Sequence, residues 1–359
     1  MDRIWKRIFY KMSLLEKLKK TSTVKQSEVL SESKLFNLKD VATTPVPIVN
    51  VALSGSVDGG LTSGLTILAG PSKHFKSNLA LMLAASYMKK HEDAVCLLYD
   101  TEFGITPEYL KAMNVDPERC LHTPIEHVEQ LKFDISKQLE AMERGDKVII
   151  VLDSVGNLAS KKELEDALDG KAVADMTRAK ALKSLFRIVT PYLTTRDIPM
   201  LVINHTIQTI EMFSKQVMTG GTGLMYSANT VLFLGKSQEK EGSDVVGYNF
   251  TINIEKSRYV KEKSKLPFTV TWEHGINRWS GLLDVGLSLG WIRKPAVGWF
   301  EGVNPETGEV LTDKKRRKDT DNAEFWLPVL KGGYATALNK NYAIGHVQAI
   351  TDEGDNDAS

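Results

Sequence analysis

The chain has 359 residues, with 46 Lys and Arg against 45 Asp and Glu, a formal net charge of +1 and 42% hydrophobic residues. That length buries a sizeable core and carries a main domain with smaller additions. The near-zero charge excludes bulk electrostatic attraction to nucleic acid or membrane and leaves any such contact to local patches.

The opening "MDRIWKRIFYKMSLLEKLKK" is basic and partly amphipathic, without the uninterrupted apolar centre or small-residue cleavage site of a signal peptide. It reads as a solvated helical arm running into a polar linker. Met12 is an alternative natural start, which would make residues 1–11 non-native. "TTPVPIVNVALSGSVDGGLTSG", broken by Pro and Gly, reads as a short extended piece and turns. From Leu65 the pattern becomes regular. "LTILAG" is a buried strand, "NLALMLAASYMKK" a helix, "AVCLLYD" a strand and "TPEYLKAM" a helix start with Pro in the first turn. "EHVEQLKFDISKQLEAMERG" is a helix ending at Gly145, "KVIIVLD" a strand, "VADMTRAKALKSLFRIVTPYL" a helix and "PMLVINH" a strand.

Apolar strands alternating with amphipathic helices imply an α/β fold with a largely parallel sheet covered on both faces. After Ala228, "NTVLFLGK", "YNFTINIEKS" and "LPFTVTWE" read as successive antiparallel strands, and a small α/β region follows from about Ser280. The charge run "DKKRRKD" at 313–319 reads as a solvated loop and "TDEGDNDAS" as a disordered acidic tail. Cys96 and Cys120 have no neighbour at metal-ligand spacing and read as buried reduced thiols of a cytosolic protein. No apolar stretch is long enough to span a bilayer.

The chemistry starts at "GPSKHFKSN", Gly70-Pro71-Ser72-Lys73-His74-Phe75-Lys76-Ser77-Asn78. It has the outline of the phosphate-binding loop G-x-x-x-x-G-K-[ST], with Phe75 in place of the second glycine. Such a loop works through backbone N–H groups at a helix N-terminus, with Lys reaching the β/γ-phosphates and Ser on Mg²⁺. Phe75 keeps its N–H, so it is expected at negative φ with its ring packed away from the phosphates. The motif alone is degenerate. Its place between a predicted strand and a predicted helix supports it, as does Asp153, which ends "KVIIVLD" at the ligand edge of the sheet and can hold Mg²⁺ with Ser77. An isolated Asp there would be a turn or helix cap. "AVCLLYDTEFG" brings Glu102 to the same edge, where a carboxylate can activate a water for attack on the γ-phosphate; its alternative is a solvated loop carboxylate. "PMLVINH" delivers Asn204 and His205, a polar pair able to sense that phosphate.

In this order, with "YDTEFGITPEYLKAMNVDPER", "DSVGNLASKKE", "VINHT", "MFSKQVMTGGTG" and "EKSRYVKEKSK", the chain resembles the RecA-type recombinases, and among them the phage UvsX family, from Met12 to about residue 345. The resemblance implies ATP and Mg²⁺ as cofactors and Glu102 as the catalytic carboxylate beside Lys76. It implies His205 where bacterial RecA has Gln, Tyr109 stacked on adenine, and Lys256 and Arg258 reaching ATP on the neighbouring subunit. It places DNA contacts in two loops, one with Lys161 and Lys162, the other from about Thr206 to Gly223 with Phe213, Lys215, Gly220, Gly221 and Gly223.

The partners implied are single- and double-stranded DNA, further copies in a helical filament, a loader and a single-strand-binding protein, in the cytoplasm of a host cell. The divisions expected are a polymerisation arm at 1–43, an ATPase core at 44–278, a small C-terminal region at 279–345 and a tail at 346–359. Two rivals stay open: a hexameric helicase on the same core, and a scaffold with a degenerate loop, for which Phe75 is the main support.

Overall fold

The computed structural model describes residues 14–24, 27–33, 40–171, 177–209 and 216–345. Met12, the C-terminal tail, and Phe213 and Lys215 of the second loop lie outside the described residues. The chain divides into two units, residues 1–40 and 41–359. In the first, residues 14–21 are helical.

The second unit begins with a two-stranded antiparallel pair, β1 (Val41–Ala42) and β2 (Leu61–Thr62), flanking α1 (Pro47–Ser54). This helix corrects the expected extended piece. Pro47 sits at its first position, where a missing N–H costs nothing, and Gly55 closes it in the left-handed region at φ 79°. Ile48 to Leu53 are all buried, so tertiary packing overrides the breaker residues on either side.

The core then runs β3 (Gly64–Gly70), α2 (Lys76–Lys90), β4 (Val95–Asp100), α3 (Pro107–Ala112), β5 (Cys120–Pro124), α4 (Val128–Ala141), β6 (Val148–Asp153), α5 (Lys161–Leu168), α6 (Thr177–Arg196) and β7 (Pro199–Gln208). After β8 (Gln216–Met218) and α7 (Thr222–Ser227) come β9 (Thr230–Glu241), β10 (Asp244–Ser257), β11 (Lys265–Thr271) and β12 (Gly275–Ile276). Their order in one sheet is β12-β11-β10-β9-β3-β7-β6-β4-β5, with β8 hairpinned onto β7.

Strands β9, β3, β7, β6, β4 and β5 are mutually parallel, and β10 to β12 extend the sheet antiparallel. Alternate residues face opposite sides: Leu68, Leu98 and Val151 join one apolar cluster with α1 and α2, while Ile67, Leu97 and Leu152 join another with α4 and α6. That double coverage is why the strands read as continuous apolar runs. The parallel strands all point one way, so Gly70, Asp100, Asp153 and His205 reach the same edge.

The small C-terminal region holds α8 (Leu282–Ser288), an antiparallel sheet of β13 (Ile292–Ala296), β14 (Trp299–Gly302) and β15 (Lys315–Arg316), then α9 (Ala323–Val329) and α10 (Ala335–Tyr342). The charge run is largely exposed, as expected, but only Asp313 and Lys314 of it are loop. Lys315 and Arg316 pair with β14, and Arg317 reaches both carboxylate oxygens of Asp284 at 2.9 Å. Two further expectations shift. α4 stops at Ala141, because Met142 is extended, four residues before the glycine. Cys120 is half-buried rather than buried, since β5 is an edge strand, and it lies in register beside Cys96.

Candidate nucleotide site

Gly70 ends β3, and after five intervening residues α2 begins at Lys76 with no side-chain cap, so the first-turn N–H groups face the loop's concavity. Phe75 precedes the helix at φ 62°, in the left-handed region, and Lys73 sits at φ 60°. The expectation of a negative φ at Phe75 is therefore wrong. The packing half of it holds: the ring lies against Phe250 and Phe268, with centroids 5.2 and 5.8 Å away. A left-handed conformation costs a non-glycine residue ~1–2 kcal/mol. Aromatic burial against β10 and β11 offsets it, and a loop of glycine-like shape is kept without the glycine.

Lys76 is buried, and its Nζ donates to the carbonyl of Pro71 at 2.7 Å. Burial lowers its pKa, against the opposing pull of the Asp153 and Glu102 charges. Ser77 Oγ donates to Asp153 Oδ2 at 2.6 Å. Asp153 Oδ1 is buried with no hydrogen-bond partner among the described residues. Burial, ahead of the neighbouring Glu102 and Asp100 charges, pushes the Asp153 carboxyl up to about 6 even though the Ser77 bond lowers it. A hydroxyl and a carboxylate oxygen left unpaired at a phosphate loop form a donor set for a hard, oxygen-preferring divalent cation that keeps its remaining ligands as water and phosphate. The residues therefore fit Mg²⁺.

Glu102 follows β4. Its Oε1 accepts from Ser154 Oγ at 2.7 Å and from His205 Nε2 at 2.9 Å. Burial acts to raise its pKa, but the Ser154 and His205 bonds and the His205 and Lys76 charges outweigh it, and the carboxyl is held below its ordinary value. Both bonds go to one oxygen, which leaves Oε2 for a water. Asn204 does not join His205 in the cleft. It is buried, accepts from Thr219 Oγ1 at 2.8 Å and donates to the Thr219 carbonyl at 3.0 Å, tying β7 to the glycine-rich loop. Tyr109, half-buried on α3, borders the same cleft of about 300 Å³ as Lys76, Ser77, Glu102, Asp153 and His205. Burial raises its phenol pKa.

Sequence reasoning missed Ser154 and Asp100 as parts of this arrangement. Ser154 was legible only as the residue after Asp153; its bond to Glu102 depends on β4 and β6 being neighbours.

The model for the RecA N-terminal domain matches residues 13–277. The chain belongs to the RecA family. A model for the C-terminal domain of the bacteriophage T4 recombination and repair protein matches residues 279–333. The recombination and repair protein of Enterobacteria phage T4 is 55% identical over 341 residues, 94% of this chain and 87% of that one. The RecA protein of Cutibacterium acnes is 27% identical over 281 residues, 77% of this chain and 78% of that one, and that of Salinispora arenicola 27% over 289, 79% and 81%. This RecA-family chain is a recombinase of the phage type, and no described helix is long and apolar enough to cross a membrane.

The other described residues singled out by the RecA resemblance do not line the cleft. Lys256 pairs with Val231, which pairs with Ile67, three residues before Gly70. At ~3.3 Å per residue the Lys256 backbone is ~10 Å back along the sheet from the phosphate loop. Its Nζ donates to the Met225 and Tyr226 carbonyls at 2.9 and 3.1 Å, and burial, then the adjacent Arg258 charge, lowers its pKa. Arg258 is exposed, past the end of β10.

Lys161 and Lys162 open α5 and pair with Glu165 and Asp166 one turn on, at 3.7 and 3.1 Å. Gly220 and Gly221 adopt φ 86° and 85°. A Cβ on Gly220 would sit 3.0 Å from Leu182 Cδ1, and one on Gly223 2.9 Å from Lys183 Cβ. These two glycines let the loop close onto α6.

Proposed function

We propose that the chain is an ATP-dependent DNA strand-exchange protein: it assembles as a helical filament on single-stranded DNA, pairs that strand with duplex DNA, and hydrolyses ATP in a DNA-stimulated cycle. The observation that carries this reading is the convergence of the Ser77–Asp153 pair and the Glu102–His205 pair in one cleft with Lys76. Family membership supplies the DNA side.

In this reading Lys76 leaves the Pro71 carbonyl for the β/γ-phosphates of ATP, and the α2 N-terminus holds the same phosphates through its N–H groups. Ser77 and Asp153 would hold Mg²⁺, which would supply neutralisation of charge on the phosphate oxygens. Glu102 Oε2 takes a proton from the attacking water while Ser154 and His205 fix Oε1. Tyr109 lies against adenine. His205, on the strand that runs into the glycine-rich loop, links the state of the γ-phosphate to DNA held by that loop. Lys256 and Arg258, at the far end of β10, serve the ATP of the neighbouring protomer, which makes filament growth and ATP binding one event. Sequence is read by base pairing, and the lysines of both loops supply salt-dependent phosphate contacts.

The test is Mg²⁺-dependent ATP hydrolysis with and without single-stranded DNA, beside Lys76→Ala and Glu102→Gln. Strong stimulation by DNA, abolished in both variants, is expected. Absence of hydrolysis, with DNA binding indifferent to ATP and to Lys76→Ala, would hand the chain to the scaffold reading.

A further inference from the structure

Asp100 ends β4 two residues before Glu102 and is 1% exposed. Its Oδ1 accepts from the backbone N–H of Glu102 at 3.0 Å and of Phe103 at 2.8 Å. Its Oδ2 meets His122 Nε2, on the edge strand β5, at 3.1 Å. Phe103 itself stands at φ 53° and is 64% exposed, so burial of its side chain does not account for the left-handed backbone. Such a residue is strained and persists only where its surroundings over-determine it. Here the Asp100 carboxylate does so, and the same oxygen also holds the backbone of Glu102, the residue before Phe103.

The turn alone does not account for a carboxylate. An asparagine amide oxygen would accept the same two N–H bonds without burying a charge, and burying one beside Asp153, its register partner on β6, is costly. The second oxygen is where charge has a use, since it takes the donor from His122 and ties the turn to β5. Ser154 and His205 grip the Glu102 side chain from the other side. The carboxylate is thus aimed by its backbone from β4–β5 and by its tip from β6–β7.

We propose that Asp100, pinned by His122, is the positioning residue for Glu102, setting the aim of the carboxylate that activates water. This rests on the ATP-hydrolysis reading above. Asp100 touches neither the phosphate loop nor Lys76 in any hydrogen bond described, so its loss acts on turnover and not on nucleotide capture.

The experiment is steady-state and single-turnover ATP hydrolysis on single-stranded DNA for Asp100→Ala, Asp100→Asn, His122→Ala and His122→Gln, each also combined with Glu102→Gln. Asp100→Ala is expected to lower kcat about tenfold or more, as misaimed catalytic groups do, with KM for ATP within about twofold of wild type. Asp100→Asn, which keeps the Oδ1 acceptor, recovers most of that loss. The effect of Asp100→Ala vanishes in the Glu102→Gln background, because the two changes remove one function.

His122 lies 44% exposed on an edge strand, so His122→Ala stays readable if Asp100→Ala fails to fold. It is expected to lower kcat a few-fold without changing KM, and His122→Gln, which keeps a side-chain N–H, to restore it. Unchanged kcat in Asp100→Ala and His122→Ala overturns the inference, as does an equal loss with and without Glu102. A raised Mg²⁺ requirement with no recovery in Asp100→Asn also overturns it, because Asp100 would then act on Asp153. A wild-type chain that hydrolyses no ATP overturns the functional reading itself; wild-type hydrolysis with indifferent variants overturns this inference alone.

Discussion

Ser77 donates to one carboxylate oxygen of Asp153 at 2.6 Å while the other lies buried without a partner among the described residues. The fold therefore holds a charge ready for a ligand at its own expense. With the carboxyl raised from 3.8 to about 6, the folded state binds that proton more tightly than the unfolded chain. The resulting stabilisation is complete below 3.8 and is lost as pH rises through about 6. That rise corresponds to ~3 kcal/mol of penalty at neutral pH in the ligand-free site. Asp153→Asn is expected to raise the melting temperature of the ligand-free protein by a few degrees at pH 7.5, to leave it little changed at pH 4, and to abolish the further rise given by Mg²⁺ with ATP. Differential scanning calorimetry at the two pH values checks all three; a lower melting point at pH 7.5 counts against a preformed cation site.

Phe75 sets two effects against each other. Phe75→Gly relieves a left-handed backbone worth ~1–2 kcal/mol. It also deletes a ring packed on Phe250 and Phe268, and removing a large aromatic from a core costs ~3–5 kcal/mol, somewhat less at a half-buried position. Packing wins. The variant is expected to lose ~1–3 kcal/mol in denaturant unfolding, yet to bind ATP with near wild-type affinity, since the N–H at position 75 survives. Lost affinity with unchanged stability would mean the ring organises the phosphate loop directly.

The same position marks how far sequence reaches. The parallel strands and the phosphate loop were legible because apolar runs ending in Gly70, Asp100, Asp153 and His205 state both burial and direction. The backbone of Phe75 was not, because its φ is decided by an aromatic wall some 175 to 193 residues away in the chain, on β10 and β11. Strand β5 was missed for a different reason. "CLHTP" lies on the sheet edge with exposed and half-buried residues mixed, so it carries little of the alternation that identifies a strand. With β5 unseen, neither His122 against Asp100 nor Cys120 beside Cys96 could be inferred. α1 was hidden behind its own capping residues, which mark breaks as readily as helix ends.

His205 and Ser154 hold Glu102 in its ionised form. Although burial favours the neutral acid, their hydrogen bonds and the His205 and Lys76 charges carry the carboxyl below its ordinary range. For a depressed acid the associated stability is present above the ordinary glutamate pKa and is lost as pH falls through the folded value. In the proposed mechanism, the base form that Glu102 needs to activate water therefore persists at lower pH than for an unassisted glutamate. His205→Ala is expected to move the acid limb of the kcat profile to higher pH and to lower the plateau. His205→Gln, which keeps an N–H donor, restores much of the plateau. An acid limb that stays fixed in His205→Ala would separate the histidine from Glu102.

Lys256 lies level with Ile67, ~10 Å back along the sheet from Gly70, and Arg258 lies two residues farther from the phosphate loop. If they serve the next protomer's ATP, their loss spares nucleotide binding by an isolated chain and removes DNA-stimulated turnover. Arg258→Ala is expected to bind a fluorescent ATP analogue normally without DNA and to hydrolyse little ATP with it. Mixing it with Lys76→Ala makes the stronger test. In a head-to-tail filament, about a quarter of the interfaces in an equal mixture place an intact phosphate loop from one variant against an intact Arg258 from the other. Activity should therefore reappear on mixing two inactive proteins, rising towards that fraction of wild type. A mixture as inactive as its components would place Arg258 in the site of its own chain or outside the chemistry altogether.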